Sequence, residues 1–443
     1  MAETISALQF RLPNARAGQA YQAPFKILGP DAGGGLQIRL LAVPPQLGLS
    51  FDASSQLMQG VPAQAGEYEL PLEWSRDGSQ WHGGKCPLIV IADPRSLWKV
   101  LEPPADAPYP KAHGAQQMFA TGQLAGPGTA GQGAAGRAAD QPGNGSADAA
   151  PPAPVTSGSR IWTLLAASRR GRSHEHAGAF RDDDFFLAHE AGNGWSVMLV
   201  ADGAGSASSS REGSRLAVRT AGRYLQQALA GETGQRCCAL LAQADAADAA
   251  DAVGEAALHE AFRQLLQHAA TLAVDAIEIE AAQRQLIARD YATTLLACCV
   301  LPLGAKTFVA SFWIGDGGIA VYGPRGQVSL LGTPDSGEFA GQTRFLDRAC
   351  LASAGFASRI STGHYADVSG VLLMTDGVSD PRFETDNGLK NPVKWDALWD
   401  ELAPCLAAAD PAQQVYDWLH FFTPGHHDDR TLALMWPAAG EAP

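Results

Sequence analysis

From about Gly122 to Gly158 the chain is built of Ala, Gly, Pro and Ser with few apolar side chains, LAGPGTAGQGAAGRAADQPGNGSADAAPPAPVTSGS. A stretch of that composition cannot bury enough surface to offset the entropy of ordering it. It reads as a flexible tether, and a single core cannot run through it. The 443 residues must therefore fold on either side of it, which suits a length that allows two or three domains. The expected organisation is a β module over 1–98, a connecting segment and linker over 99–158, and a second domain over 159–443.

Ahead of the tether, LQIRLLAVP, GLSFDASSQLMQGVP, YELPLEWS and CPLIVIADP are short runs of β-formers bounded by Gly, Pro, Asp and Ser. Strands at that spacing predict a small all-β sandwich. PPQLGLSFDASSQLMQGVPAQAGEYELPLEW resembles the immunoglobulin-like repeats of bacterial multidomain proteins. That resemblance implies a module that binds or spaces, and no catalytic pattern is visible in it.

The formal net charge of -14 argues against nucleic acid or an anionic membrane as partner, since both call for basic patches. No uninterrupted apolar run approaches the ~20 residues of a membrane span. The opening MAETISALQFRLPNARAG lacks a basic segment followed by an apolar one, so a cytoplasmic protein without a secretory signal is expected. Seven cysteines include the neighbours Cys237-Cys238 and Cys298-Cys299. They are poor material for a disulfide framework, no C-x-x-C suggests zinc, and buried reduced thiols are expected.

Chemistry enters with SVMLVADGAGSASSS, where an apolar run ends in Asp202-Gly203. The glycines at 203 and 205 invite a dinucleotide-binding reading. That fingerprint needs a third glycine where Ser208 stands, and an acidic residue after the glycines rather than before them. The Asp itself is the better candidate, because the pattern repeats. FVASFWIGDGG ends in Asp316-Gly317 and VSGVLLMTDGVSD carries Asp376-Gly377. HHDDRTLALMW sets Asp428 and Asp429 before the last apolar run, and FRDDDFFLAHE places Asp182, Asp183 and Asp184 beside another. One Asp-Gly after a strand is usually a turn. Three of them with two acidic clusters at strand borders point to carboxylates and a backbone carbonyl meeting at a small hard ion, Mg2+ or Mn2+.

The region from about Ile161 to Trp436 resembles the protein phosphatase 2C family, in particular its bacterial branch. The likeness rests on motifs in family order: GRSHEHAGAFRDDDFFLAH, VADGAGSASSSREGSRLA, YATTLLACCV, IGDGGIAVY, GEFAGQTRFL, MTDGVSDPRF and HHDDRTLAL. It implies an α/β sandwich of two packed antiparallel sheets flanked by helices. The sequence supports helices independently in SREGSRLAVRTAGRYLQQALA, in the alanine-rich run from Glu255, and in PAQQVYDWLHFF after Asp410.

The resemblance also implies roles. Asp202 would bridge two ions, with the Gly203 carbonyl completing one shell. Asp376 and Asp428 would hold the first ion, and Asp183 would act mainly through bound water, with Asp184 adjacent in an open register. Asp316 would help Asp376 with a third, weaker ion, or merely order its turn. Asp183, Asp202, Asp376 and Asp428 would thus carry catalysis, two metals activating a water for in-line attack on phosphorus. No phosphoenzyme is implied, and Phe185 and Phe186 fit poorly with an aspartyl nucleophile at the DDD triplet.

Two departures matter. Ala204 stands where many members have His, and Gly178 where they commonly have an Arg for the phosphate. Arg172, His174, His176 and Arg181 are the nearest replacements, with His174 the first choice. The implied activity is that of a metal-dependent serine/threonine phosphoprotein phosphatase opposing a Ser/Thr kinase. The alternative is a phosphatase-shaped binding module without turnover, which would have no physical need for the metal aspartates.

Overall fold

The structure, a computed structural model, describes residues 8–29, 36–103, 114–121, 161–246, 252–335, 343–353 and 355–438. The chain divides into two compact units, Met1–Lys99 and Val100–Pro443. The first is all β. Its largest sheet joins Ala15–Arg16, His82–Ile91, Gly66–Ser75 and Gln37–Leu40, accompanied by sheets of three and two short strands. Strict alternation places Leu70, Leu72 and Trp74 inside with Cys86, Leu88 and Val90 from the neighbouring strand.

In the second unit two antiparallel sheets lie face to face. One carries Asp184–His189, Ser196–Ala201, Leu295–Leu303, Lys306–Ile314 and Ile360–Ala366 in chain order. The other runs Gly114–Thr121, Trp162–Arg169, Arg430–Pro437, Gly370–Met374, Gly318–Tyr322 and Val328–Leu330 across its width.

These strands read as unbroken apolar runs because both of their faces are covered. Met198 and Val200 meet Leu164, Ala166, Leu373 and Met435 between the sheets. Val197, Leu199 and Ala201 turn the other way, against Val218, Ala221 and Leu225 of the helix Ser210–Ala230 and against Phe262 and Leu266 of Ala252–Gln283. Leu165, Leu372 and Leu434 face Trp395, Leu398 and Val415 of Pro392–Leu406 and Pro411–Trp418. The order is helix, sheet, sheet, helix, with each fully buried Leu or Val contributing about 1.5–3 kcal/mol. All seven cysteines are free, and burial pushes the Cys298 and Cys299 thiols up. Among the described residues no helix is long and apolar enough to cross a membrane.

One element departs from the expected organisation. Gly114–Thr121, inside the segment 99–158 assigned to connection, is an edge strand of the second unit, paired from Gly114↔Arg169 to Thr121↔Trp162. The low-complexity stretch therefore runs between two neighbouring strands of one sheet, and the division between the units falls earlier, at Lys99 and Val100. An edge strand pairs along one side only and needs no apolar run, so GAQQMFAT carries little signal. The low-complexity residues themselves lie outside the described ones.

Candidate functional site

Both sheets deliver carboxylates to the same end of the sandwich, and strand register shows how. Asp184 pairs with Ala201, so one step further Asp183 stands opposite Asp202. Gly318 pairs with Met374, the last pair before Asp316 on the approach to one strand and Asp376 at the start of the helix Asp376–Phe383. Ligand oxygens of Asp202, Asp316 and Asp376 lie within 4.8 Å of one another. Asp428, at the exposed rim, adds its charge to Asp202, Asp316 and Asp376.

The backbone around Asp202 is pinned from the Ala292-Thr293-Thr294 segment. Asp202 N donates to Thr294 Oγ1 at 2.8 Å, the Asp202 carbonyl accepts from Thr293 Oγ1 at 2.9 Å, and Ala204 N donates to the Ala292 carbonyl at 2.9 Å. Glycine is required at 203, where a Cβ would stand 2.7 Å from the Asp182 carbonyl oxygen and 2.9 Å from that of Ser210. At 377 it would come within 1.8 Å of the Asp429 carbonyl oxygen. These close approaches draw the Asp202 and Asp376 loops onto the two acidic clusters.

Asp183 is the member of its triplet that joins the centre. Its Oδ2 accepts from Thr375 Oγ1 at 2.8 Å and Thr431 Oγ1 at 2.7 Å, and Thr431 lies 2.6 Å from Ser168 Oγ. Asp184 turns to Arg181 at 3.3 Å, which closes the open register.

Burial is the first cause raising every one of these carboxyls. It lifts Asp183 to about 7, with the charge of Asp429 next. Asp202 is held well above the carboxylate range by burial, then by Asp376 and Asp183. Asp376 is raised likewise by burial, then Asp316 and Asp428. Asp316 and Asp428 also rise. Five like charges in one partly desolvated space repel unless a cation offsets them. Among the described residues Asp183 Oδ1, Asp316 Oδ1 and Asp376 Oδ1 have no hydrogen-bond partner, and an all-oxygen donor set suits a hard divalent ion. The residues present fit such an ion.

Behind this layer stands Asp429, almost fully buried. It accepts from Gly171 N at 2.6 Å and from Asp182 N, and pairs with His174 Nδ1 at 3.0 Å. His174 Nε2 also lies 3.8 Å from Asp182. Burial works against the imidazolium, but Asp429, then Asp182 and Asp428, lift it to about 9. His174 therefore ties two acidic loops together as a cation.

The other expected phosphate contacts are engaged by the protein itself or lie at its surface. Arg181 is buried, donating to the Ser168 carbonyl at 3.1 Å. Arg172 donates to the His420 carbonyl at 3.2 Å and lies over the Phe422 ring. The Arg181 partner lies on the neighbouring strand Trp162–Arg169, whereas the Arg172 partner comes from 248 positions away, a demand invisible in local sequence. His176 is exposed on the short helix Arg172–Ala177.

Sequence reasoning did not single out Arg211. It begins the helix that follows the Asp202 loop and stacks 4.1 Å over Phe180, two residues beyond Gly178. Burial lowers its pKa, against the pull of Glu212 and Asp182. Thr375, Thr431 and Asp429 were also unassigned, although each adjoins a motif aspartate or its strand. Of GEFAGQTRFL, 337–342 lie outside the described residues. Thr343 donates to Asp316 Oδ2, and Leu346 N donates to the Thr293 carbonyl at 2.8 Å.

A family model described as Protein phosphatase 2C matches residues 170–420. The chain is 31% identical over 220 residues to Serine/threonine-protein phosphatase 3 of Escherichia coli strain K12, which covers 49% of this chain and 74% of that protein. Among solved structures, the Mycobacterium tuberculosis serine/threonine phosphatase PstP/Ppp aligns with a TM-score of 0.36 and 15% identity, over 62% of this chain and 99% of that one. Serine/threonine phosphatase Stp1 from Staphylococcus aureus aligns with a TM-score of 0.34 and 14% identity, over 62% and 95%.

Proposed function

Because the chain belongs to the protein phosphatase 2C family, we propose that it is a Mg2+- or Mn2+-dependent phosphatase acting on phosphoserine and phosphothreonine in proteins. The observation that carries this reading is the convergence of Asp183, Asp202, Asp316, Asp376 and Asp428 with buried oxygens left unpartnered among the described residues. A binding module without turnover would gain nothing from five mutually repelling carboxylates. Opposition to a Ser/Thr kinase and a reducing, cytoplasmic setting belong to the same proposal, the latter supported by seven free cysteines.

Asp202, Asp376 and Asp428, with the Gly203 carbonyl, would hold the ions, Asp183 through a water and Asp316 beside Asp376 for a further one. Divalent ions bound there would lower the pKa of a coordinated water and offset the charge on the phosphoryl oxygens. The chain's own work is to fix those donors in advance. Thr375 and Thr431 hold Asp183, Thr293 and Thr294 hold the Asp202 backbone, and the His174–Asp429 pair locks the loop behind Asp428. A dianionic phosphate still needs a cationic donor, and Arg211 is our assignment for it. It reaches over Phe180 to the stretch where the family's usual arginine is missing at Gly178.

The test is hydrolysis of an aryl phosphate by the purified chain. Turnover should require added Mn2+ or Mg2+ and vanish in excess EDTA. Asp202→Asn and Asp376→Asn should each lose at least about 10³-fold in kcat, while Asp316→Asn loses distinctly less. Full turnover in EDTA, or equal losses at all three positions, would defeat the proposal.

A further inference from the structure

Beside the carboxylate cluster opens a separate cavity of about 440 Å³, lined by Trp313, Thr333, Asp335, Arg344, Ser358 and Arg359 among others. Its floor is rigid. Trp313 is almost fully buried and donates its indole N–H to the Gly315 carbonyl at 3.0 Å. Arg359 grips Asp335 with two bonds of 2.5 and 2.7 Å and donates to the Trp313 carbonyl at 3.1 Å.

The wall is shared with the catalytic end at two points. Asp335 N donates to the Gly315 carbonyl at 2.9 Å while Gly315 N donates back to Asp335 Oδ2 at 3.1 Å, and Gly315 precedes Asp316. On the other side Thr343, which donates to Asp316, precedes Arg344.

Among the described residues the charges lining this cavity do not cancel. Arg359 and Asp335 neutralise each other as a bidentate pair. Arg344 is exposed at the rim and makes no hydrogen bond or ion pair among the described residues. Among the described lining residues one positive charge is left over, beside the Thr333 hydroxyl, in a chain whose net charge is -14. A guanidinium whose fork no described residue occupies, with the Thr333 hydroxyl beside it, suits a carboxylate, while the Ser358 hydroxyl is spent on the Gly355 carbonyl at 2.7 Å. Arg344 follows Thr343, whose hydroxyl bonds Asp316 at the reacting centre.

We propose that this cavity is a substrate-selecting site that receives an acidic side chain, Asp or Glu, lying roughly two to four residues from the phosphoresidue. The inference rests on the phosphatase reading above, and it names the class of protein segment that reading leaves open. The metal centre handles the phosphoryl group, and Arg344 selects the neighbourhood in which that group is found.

The test uses the full chain with Mn2+ and a set of phosphothreonine peptides in an Ala background, one Asp walked along either side. Wild type should favour one or two Asp positions by about 5- to 10-fold in kcat/KM, carried mainly by KM. Raised salt should shrink that preference, because Arg344 is exposed. Arg344→Ala and Arg344→Gln should abolish it, Arg344→Lys should keep part, and all three should hydrolyse an aryl phosphate within about twofold of wild type.

A flat positional profile in wild type, a preference that survives Arg344→Ala, or an equal loss on the aryl phosphate would each overturn the site. Wild type inactive even on the aryl phosphate would instead strike the reading beneath it, and the site would fall with it.

Discussion

Replacing Asp183 with Asn should stabilise the metal-free protein while damaging the active one. Asp183 Oδ2 accepts from Thr375 and Thr431, whereas Oδ1 has no partner among the described residues. An Asn in the same place can keep both acceptor bonds through its carbonyl and turn its N–H groups toward Asp202. What it loses is a charge that burial and Asp429 disfavour, since they raise this carboxyl from 3.8 to about 7.

The sign follows from linkage. A carboxyl whose folded pKa exceeds its unfolded one costs nothing below the unfolded value and reaches its full cost above the folded value. Relieving one buried, repelled charge of this kind is worth on the order of 1–3 kcal/mol. In EDTA at pH 8 Asp183→Asn should therefore melt about 4 °C above wild type. At pH 5 the gain should fall to less than half of that. With saturating Mn2+ the order should reverse, since the wild-type carboxylates then bind what they were arranged for. Melting curves from pH 5 to 8.5, with EDTA and with Mn2+, decide it. An unchanged Tm at pH 8 in EDTA, or a gain that ignores pH, would refute the claim of a repelling, cation-seeking cluster.

Two further outcomes are expected. A chain beginning at Val100 should fold and hydrolyse aryl phosphates, whereas one beginning at Ser157 lacks the edge strand Gly114–Thr121 and should melt lower; equal melting would remove that strand from the fold. Arg211→Ala should raise KM more than it lowers kcat, the signature of lost ground-state binding, whereas His174→Ala should shift the Mn2+ titration instead, so the opposite pattern would return the phosphate contact to His174.

How much of this could be read in the chain beforehand depended on whether the signal was local. Asp202, Asp316 and Asp376 were visible because each closes an apolar run and meets a glycine, a pattern that a strand end leaves in the sequence itself. The sheets were legible for the same reason, since strands covered on both faces keep runs such as Leu295–Leu303 almost wholly apolar. Asp183 and Asp184 could not be told apart, because the choice lies in the pairing Asp184↔Ala201, and a register belongs to two strands at once. The edge strand was hidden in the mixed octapeptide GAQQMFAT, which shows neither an apolar run nor alternation.

The same distinction explains why the cations near the site were the least legible part. A histidine or arginine beside a metal motif looks free until the chain returns. Asp429 meets His174 from 255 positions away, and the His420 carbonyl reaches Arg172 from 248 away. Each cation is then claimed by a partner supplied from the far end of the chain. Arg211 and Arg344 escaped notice for the converse reason, since nothing next to either hints at phosphate or carboxylate. Carboxylates around an ion announce themselves because several must converge, and each needs its own strand end and glycine. A cation that contacts a substrate works singly, so its role emerges only from where the fold places it.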